Sequence, residues 1–166
     1  MEIDKFSKSW KVRFLNTDDV DAVVSLCSRN QLYYQYCPPF VSRELILEEM
    51  NALPENTSRK DKYYCGFFDH GELIAVMDLI DHYPDHESVF IGFFMMNVEK
   101  QKKGIATQII TELCEYLHED NCKYVQLAWV KGNPQAEHFW TKNKFQAIRE
   151  TKANTNDIVL LAQRNL

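Results

Sequence analysis

No run of apolar residues in this chain approaches the ~20 needed to cross a bilayer. None near the N-terminus resembles a secretory signal, because Met1 to Lys11 is polar and of mixed charge. A cytoplasmic location is therefore expected, with no membrane as partner. A basic excess is missing too. Net charge is −5, so the chain lacks the cations that would release counterions from a nucleic-acid backbone, and nucleic acid is not expected as a partner. Paired cysteines are absent. Cys27, Cys37, Cys65, Cys114 and Cys122 are odd in number and irregularly spaced, with no C-x-x-C, which reads as reduced thiols. Metal chemistry has little to rest on. His82 and His86 stand four apart, but in a loop containing Pro84 and outside any H-E-x-x-H pattern.

What is present is an ordinary globular composition, 45% hydrophobic and 26% charged over 166 residues, enough for a single domain with its own core. The chain is organised around one stretch, Phe90 to His118. Phe90 to Val98 is a nearly uninterrupted apolar run without charge, which predicts a buried strand. Glu99 to Ala106 is a polar, lysine-bearing turn. From Thr107 onward, Ile109, Ile110, Leu113, Tyr116 and Leu117 recur at helical spacing. A strand, a small-residue basic turn and a helix together make an anion site. The first amides of a helix are unpaired and the helix dipole favours negative charge there. Gly104 lets a ligand approach the backbone, and Lys102 and Lys103 add charge. Two other phosphate-binding loops are excluded. A P-loop needs G-x-x-x-x-G-K-[ST], and a dinucleotide fingerprint needs three glycines where only Gly104 stands.

Elsewhere the pattern predicts a first strand over Lys11 to Leu15 and a helix to about Asn30 with Thr17 as its N-cap. An aromatic connection follows, Gln31 to Phe40, then a helix capped by Ser42. Tyr63 to Phe68 and Glu72 to Ile80 form a hairpin around Asp69-His70-Gly71. After the central helix come a strand over Lys123 to Val130, a helix over Pro134 to Asn143, a strand from Phe145, a turn at Ala153 to Asp157 and a strand from Ile158 to Ala162. The order indicates an α/β (α+β) fold, a mixed sheet covered by helices.

Gln101-Lys102-Lys103-Gly104-Ile105-Ala106 fits the signature Q/R-x-x-G-x-G/A. Downstream, Asn133, Ala136, Phe139, Trp140 and Phe145 follow the pattern N-x-x-A-x-x-L/F-Y-x-x-x-G-F, with Trp in the aromatic position. In these two motifs the chain resembles the GNAT superfamily of N-acetyltransferases. The resemblance covers about Val89 to Phe145 well. It implies a mainly antiparallel sheet of six to seven strands and acetyl-CoA as cosubstrate. The pyrophosphate would lie on Gln101, Lys102, Lys103, Gly104, Ile105, Ala106 and Thr107. The pantetheine arm would lie on the backbone of Phe94 and Met96 and on Asn133, with Trp140 nearby. The acceptor would be a primary amine of a small molecule or peptide, and a homodimer is compatible with such families.

Two positions depart from the family. Many members place a Tyr where Trp140 stands, and an indole N–H is too weak an acid to protonate a departing thiolate. Some members use a Glu where Phe90 stands. Tyr124 and His138 are the remaining candidates for an acid, and Glu87, Asp81 and His82 for a base. The alternative to catalysis is a module that binds acyl-CoA without transferring from it. The aromatic connection, with Tyr33, Tyr34, Tyr36 and Phe40, reads mainly as packing for the helix pair and secondarily as an acceptor wall.

Overall fold

The computed structural model describes residues 1–153 and 157–166. Seven strands form one sheet in the order β1-β2-β3-β4-β5-β7-β6. They are β1 (Lys11–Phe14), β2 (Lys62–Asp69), β3 (Glu72–Asp81), β4 (Ser88–Met96), β5 (Tyr124–Val130), β6 (Gln146–Lys152) and β7 (Ile158–Asn165). Every neighbouring pair is antiparallel except β4 and β5, which run parallel. A parallel pair needs a long crossover, and α4 (Ile105–Glu119) supplies it.

Strand alternation sends side chains to two cores. Tyr63, Cys65 and Phe67 of β2 and Ala75, Met77 and Leu79 of β3 meet Ile109, Ile110, Leu113 and Leu117 of α4 and Trp140 of α5 (Pro134–Lys142). On the other face, Tyr64 and Val76 meet α1 (Val20–Ser28) and α3 (Arg43–Asn51) through Val20, Val23, Ile46 and Met50. All five cysteines are free. Cys114 lies in the core, where burial pushes its thiol up to about 11.

Several boundaries differ from expectation for local reasons. Asn16, not Thr17, caps the turn that leads into the first helix: its side chain accepts from the Asp18 amide at 2.8 Å, and Asp19 accepts from the Asn16 amide at 3.0 Å. The chain makes a 3-10 turn over Thr17–Asp19 before α1 begins at Val20. The aromatic connection contains a short helix, α2 (Gln31–Tyr36), whose Tyr33 ring meets Phe93 of β4 edge-on at 5.9 Å. β4 stops at Met96 rather than Val98, because the Asn97 side chain accepts from the Glu99 amide at 3.0 Å and starts a turn. α4 begins at Ile105, two residues before the expected start. β6 and β7 run longer than expected, and the turn expected at Ala153 to Asp157 lies largely outside the described residues. Its ends meet through the Ala153 amide and the Asp157 carbonyl at 2.9 Å. Every residue of β6 is exposed.

One buried acid ties the N-terminal segment to α4. Glu112 accepts from the Ser7 hydroxyl, the Ser9 hydroxyl at 2.5 Å, the Lys8 amide at 2.9 Å and Gln108 Nε2 at 2.9 Å. Burial opposes its charge, but the hydrogen bonds from Ser7, Ser9 and Gln108 outweigh burial and hold the carboxyl at about 2. A depressed folded value stabilises above the unfolded value and loses that stabilisation as pH falls. Stability is therefore expected to fall by about 3 kcal/mol as pH drops from 5 towards 2. Glu112→Gln should remove that part of the pH dependence in urea denaturation, and an unchanged acid limb in the variant would refute the assignment.

Candidate functional site

The loop after β4 is built as an open cradle. Gly104 sits at a φ of +81° and caps α4 without a side-chain hydrogen bond. The first intrahelical bond runs from the Gln108 amide to the Gly104 carbonyl at 3.0 Å, so the amides of Ile105, Ala106 and Thr107 lie ahead of the ladder. A Cβ added at Gly104 would meet nothing within 4 Å. That space and the left-handed backbone leave the helix end accessible. Lys102 is itself at a positive φ, +59°. Lys102 and Lys103 are exposed and form no ion pair among the described residues, whereas Lys100 is taken by Glu72 at 2.8 Å. Gln101 is held rather than free. Its Nε2 donates to Asn30 Oδ1 at 2.7 Å, and Asn30 Nδ2 donates to the Met96 carbonyl at 3.0 Å. This amide relay fixes the loop to the end of α1.

Next to the loop the sheet comes apart. β4 and β5 pair only from Ser88 with Tyr124 to Ile91 with Leu127. Beyond that, β4 stays with β3, and the register skips Gly92 so that Asp78 opposes Phe93 and Leu79 opposes Ile91. Gly92 is thus a bulge residue, and a glycine inside a strand is a common signal of one. The bulge also shifts the alternation. Val89 and Ile91 face the α4 side, and after Gly92 it is Phe94 and Met96 that do so. The Asn97 amide donates to the Ile74 carbonyl of β3 at 2.8 Å. Main-chain groups alternate in direction along a strand, so Phe94 and Met96 aim theirs away from β3 towards the side of β5, where the pairing has ended and where Asn30 takes the Met96 carbonyl. The cleft is floored by Phe94, which lies 6.0 Å from the Phe139 ring and 6.1 Å from Trp140. Trp140 is buried against Phe139 and Phe145. Asn133 is buried beside the cleft, with its side-chain oxygen accepting from the Ala136 amide at 3.1 Å as the N-cap of α5.

The profile of the Acetyltransferase (GNAT) family matches residues 29–145. The chain belongs to the GNAT acetyltransferase family. Solved structures agree on the fold. An acetyltransferase from Thermus thermophilus superimposes with a TM-score of 0.77 at 15% identity, covering 100% of both chains. AAC(6')-Ib in complex with paromomycin and acetyl-CoA gives 0.73 at 14% identity, covering 95% of this chain and 94% of that one. Spermidine N-acetyltransferase from Vibrio cholerae, in complex with CoA and spermine, gives 0.70 at 19% identity and 96% coverage of each. No curated protein sequence matches the chain significantly.

In this GNAT chain β4 carries residues that reach both motif regions. Phe94 meets the Phe139 and Trp140 rings of the second motif, and Gln101 of the first is tied through Asn30 to the Met96 carbonyl. Glu87, His82 and Tyr124 lie where β4 and β5 begin. Tyr124 opposes Ser88 there, roughly 13 Å along β4 from Gly92 at ~3.3 Å per residue. Glu87 pairs with Lys123, and His82 Nδ1 lies 3.3 Å from Asp81. His138 is on the exposed face of α5. Two residues escaped the sequence reading. Gly92 passed as part of an apolar run, and Asp78 as part of the returning strand, although a single acid in Leu73-Ile74-Ala75-Val76-Met77-Asp78-Leu79-Ile80 is itself a signal.

Asn133→Ala removes the cap of α5, and urea denaturation should show a loss of about 1 kcal/mol. An unchanged midpoint would mean that the Ala136 amide finds another partner.

Proposed function

We propose that the chain is an acetyl-CoA-dependent N-acetyltransferase. It transfers the acetyl group to a primary amine of a small molecule or peptide, by direct attack within a ternary complex. The observation that carries this reading is the open start of α4 after a strand, β4, whose pairing with β5 ends at Ile91. The first suits a pyrophosphate and the second suits a chain bearing amides. The Ile105, Ala106 and Thr107 amides, with Lys102 and Lys103, would hold the diphosphate against the helix dipole. Phe94 and Met96 would offer main-chain partners to the pantetheine arm in the manner of an added strand. Trp140 and Phe139 would close the α4 side of the cleft against water. The structural relatives hold acetyl-CoA or CoA together with amines such as spermine, which supports an amine as acceptor.

One observation favours a second reading, an acyl-CoA-binding module without transfer. The aromatic position of the second motif is Trp140, packed on three aromatic rings, so it brings no hydroxyl to the thiol.

Calorimetric titration with acetyl-CoA tests the cosubstrate. Micromolar binding is expected, lost in Gly104→Asp, where a side chain and a negative charge enter the cradle. Lys102→Ala with Lys103→Ala should weaken binding several-fold, and more at low salt than at high salt. Absence of binding by the unmodified protein would overturn the proposal. Binding without release of free CoA across a panel of amines would favour the second reading.

A further inference from the structure

β3 carries a single acid in its apolar run, and the structure gives it an unusual setting. Asp78 and Lys62 are each 6% exposed. Lys62 Nζ donates to Asp78 Oδ2 at 2.7 Å, and Asp78 Oδ1, also buried, has no hydrogen-bond partner among the described residues. A buried ion pair with an oxygen left unmatched is destabilising compared with an apolar pair of similar shape. Such a group is a candidate for function.

The neighbouring strand makes room for it. Gly92 is exposed, and a Cβ there would come within 3.2 Å of Asp78 Oδ2. Any larger residue would press on the carboxylate. The bulge therefore leaves space beside Asp78 Oδ2, next to the register where β4 leaves β5. Around the carboxyl stand Lys62 and Tyr64 of β2, Glu49 of α3, Arg59 after it, and Cys65. β4 contributes Gly92 and Phe93, neither of which titrates. The Tyr64 hydroxyl is buried and also has no hydrogen-bond partner among the described residues. Burial holds the Asp78 carboxyl above the ordinary range, against the opposing pull of Lys62.

We infer that Asp78 is the general base that receives a proton from the acceptor ammonium. The inference rests on the acetyl-transfer reading above. An alkyl ammonium titrates near lysine, so only on the order of 10⁻³ of it is neutral at pH 7. The ammonium N–H bond breaks and its proton goes to the Asp78 carboxylate at Oδ2, the oxygen that faces the space at Gly92. The nitrogen lone pair forms the N–C bond to the thioester carbonyl carbon. The C–S bond breaks with its electrons on sulfur. A second proton from nitrogen neutralises the thiolate, and the proton on Asp78 returns to solvent.

Two acceptors separate a base from a structural group. n-Butylamine is an ammonium at pH 7 and needs a base, whereas hydroxylamine is already neutral. Asp78→Asn should lower transfer to n-butylamine ~100-fold or more, the usual contribution of a general base, and leave transfer to hydroxylamine within a few-fold. Asp78→Asn combined with Lys62→Met removes the stranded ammonium and should show the same selectivity, which covers the case in which the single variant folds poorly. Lys62→Met alone removes the cation that lowers Asp78, so the acid limb of the n-butylamine pH–rate profile should move to higher pH. Infrared difference spectra of the CoA complex should show a carboxyl band that n-butylamine perturbs and that Asp78→Asn lacks. Equal loss with both amines, loss with neither, or wild-type transfer to hydroxylamine alone would overturn the assignment. Failure of the wild type to bind acetyl-CoA would overturn the function itself, and is read from the titration before any variant is made.

Discussion

Everything at this site depends on one strand parting from its neighbour. β4 is paired with β5 for four residues and with β3 from Val89 to Met96, Gly92 apart. The bulge at Gly92 is where the two requirements separate. Had β5 continued beside β4, Phe94 and Met96 would have spent their main-chain groups on it. The sheet would then be closed and α4 would begin over a sealed surface. Backbone polar groups away from water need partners. An open stretch of β4 is thus an unfinished ladder, and a ligand with its own amides can complete it.

Among the acids, Glu112 and Asp19 hold the fold and Asp78 does not. Glu112 collects donors from the N-terminal segment, and Asp19 receives both guanidinium nitrogens of Arg13 at 2.7 and 2.8 Å. In each, the acid is well supplied with donors. Asp78 is the reverse, buried with one cation and one empty oxygen. The contrast within one molecule makes general looseness a poor account of Asp78, because the same fold supplies donors to the other buried carboxylate, Glu112.

Much of this was readable before any coordinates. The periodic residues of α4, the polar break before it and the hairpin around Gly71 each had one simple interpretation, and the two motifs named the family. What escaped depended on three dimensions. The cap at Asn16 instead of Thr17 is a choice between two residues of similar chemistry, settled by Asp19 closing the box. The helix inside the aromatic segment owes its place to Phe93, far along the chain from Tyr33. The link from Asn30 to Gln101 and Met96 joins the end of one helix to the end of a strand, and no local pattern announces it. The bulge is harder still. Gly92 in an apolar run has several readings until the register of β3 shows which residue was skipped.

The exposed strand β6 has a consequence for how the molecule behaves in a crowd. A sheet with two free margins invites other chains to add to it, strand upon strand. Here one margin is β1, only four residues long. The other is β6, where Arg149, Glu150 and Lys152 line the border and the register slips between Ala147 and Arg149. A newcomer would find no flat, continuous template at either border. The protein can therefore keep a seam open at the centre of its sheet without becoming a seed for growth at its rim.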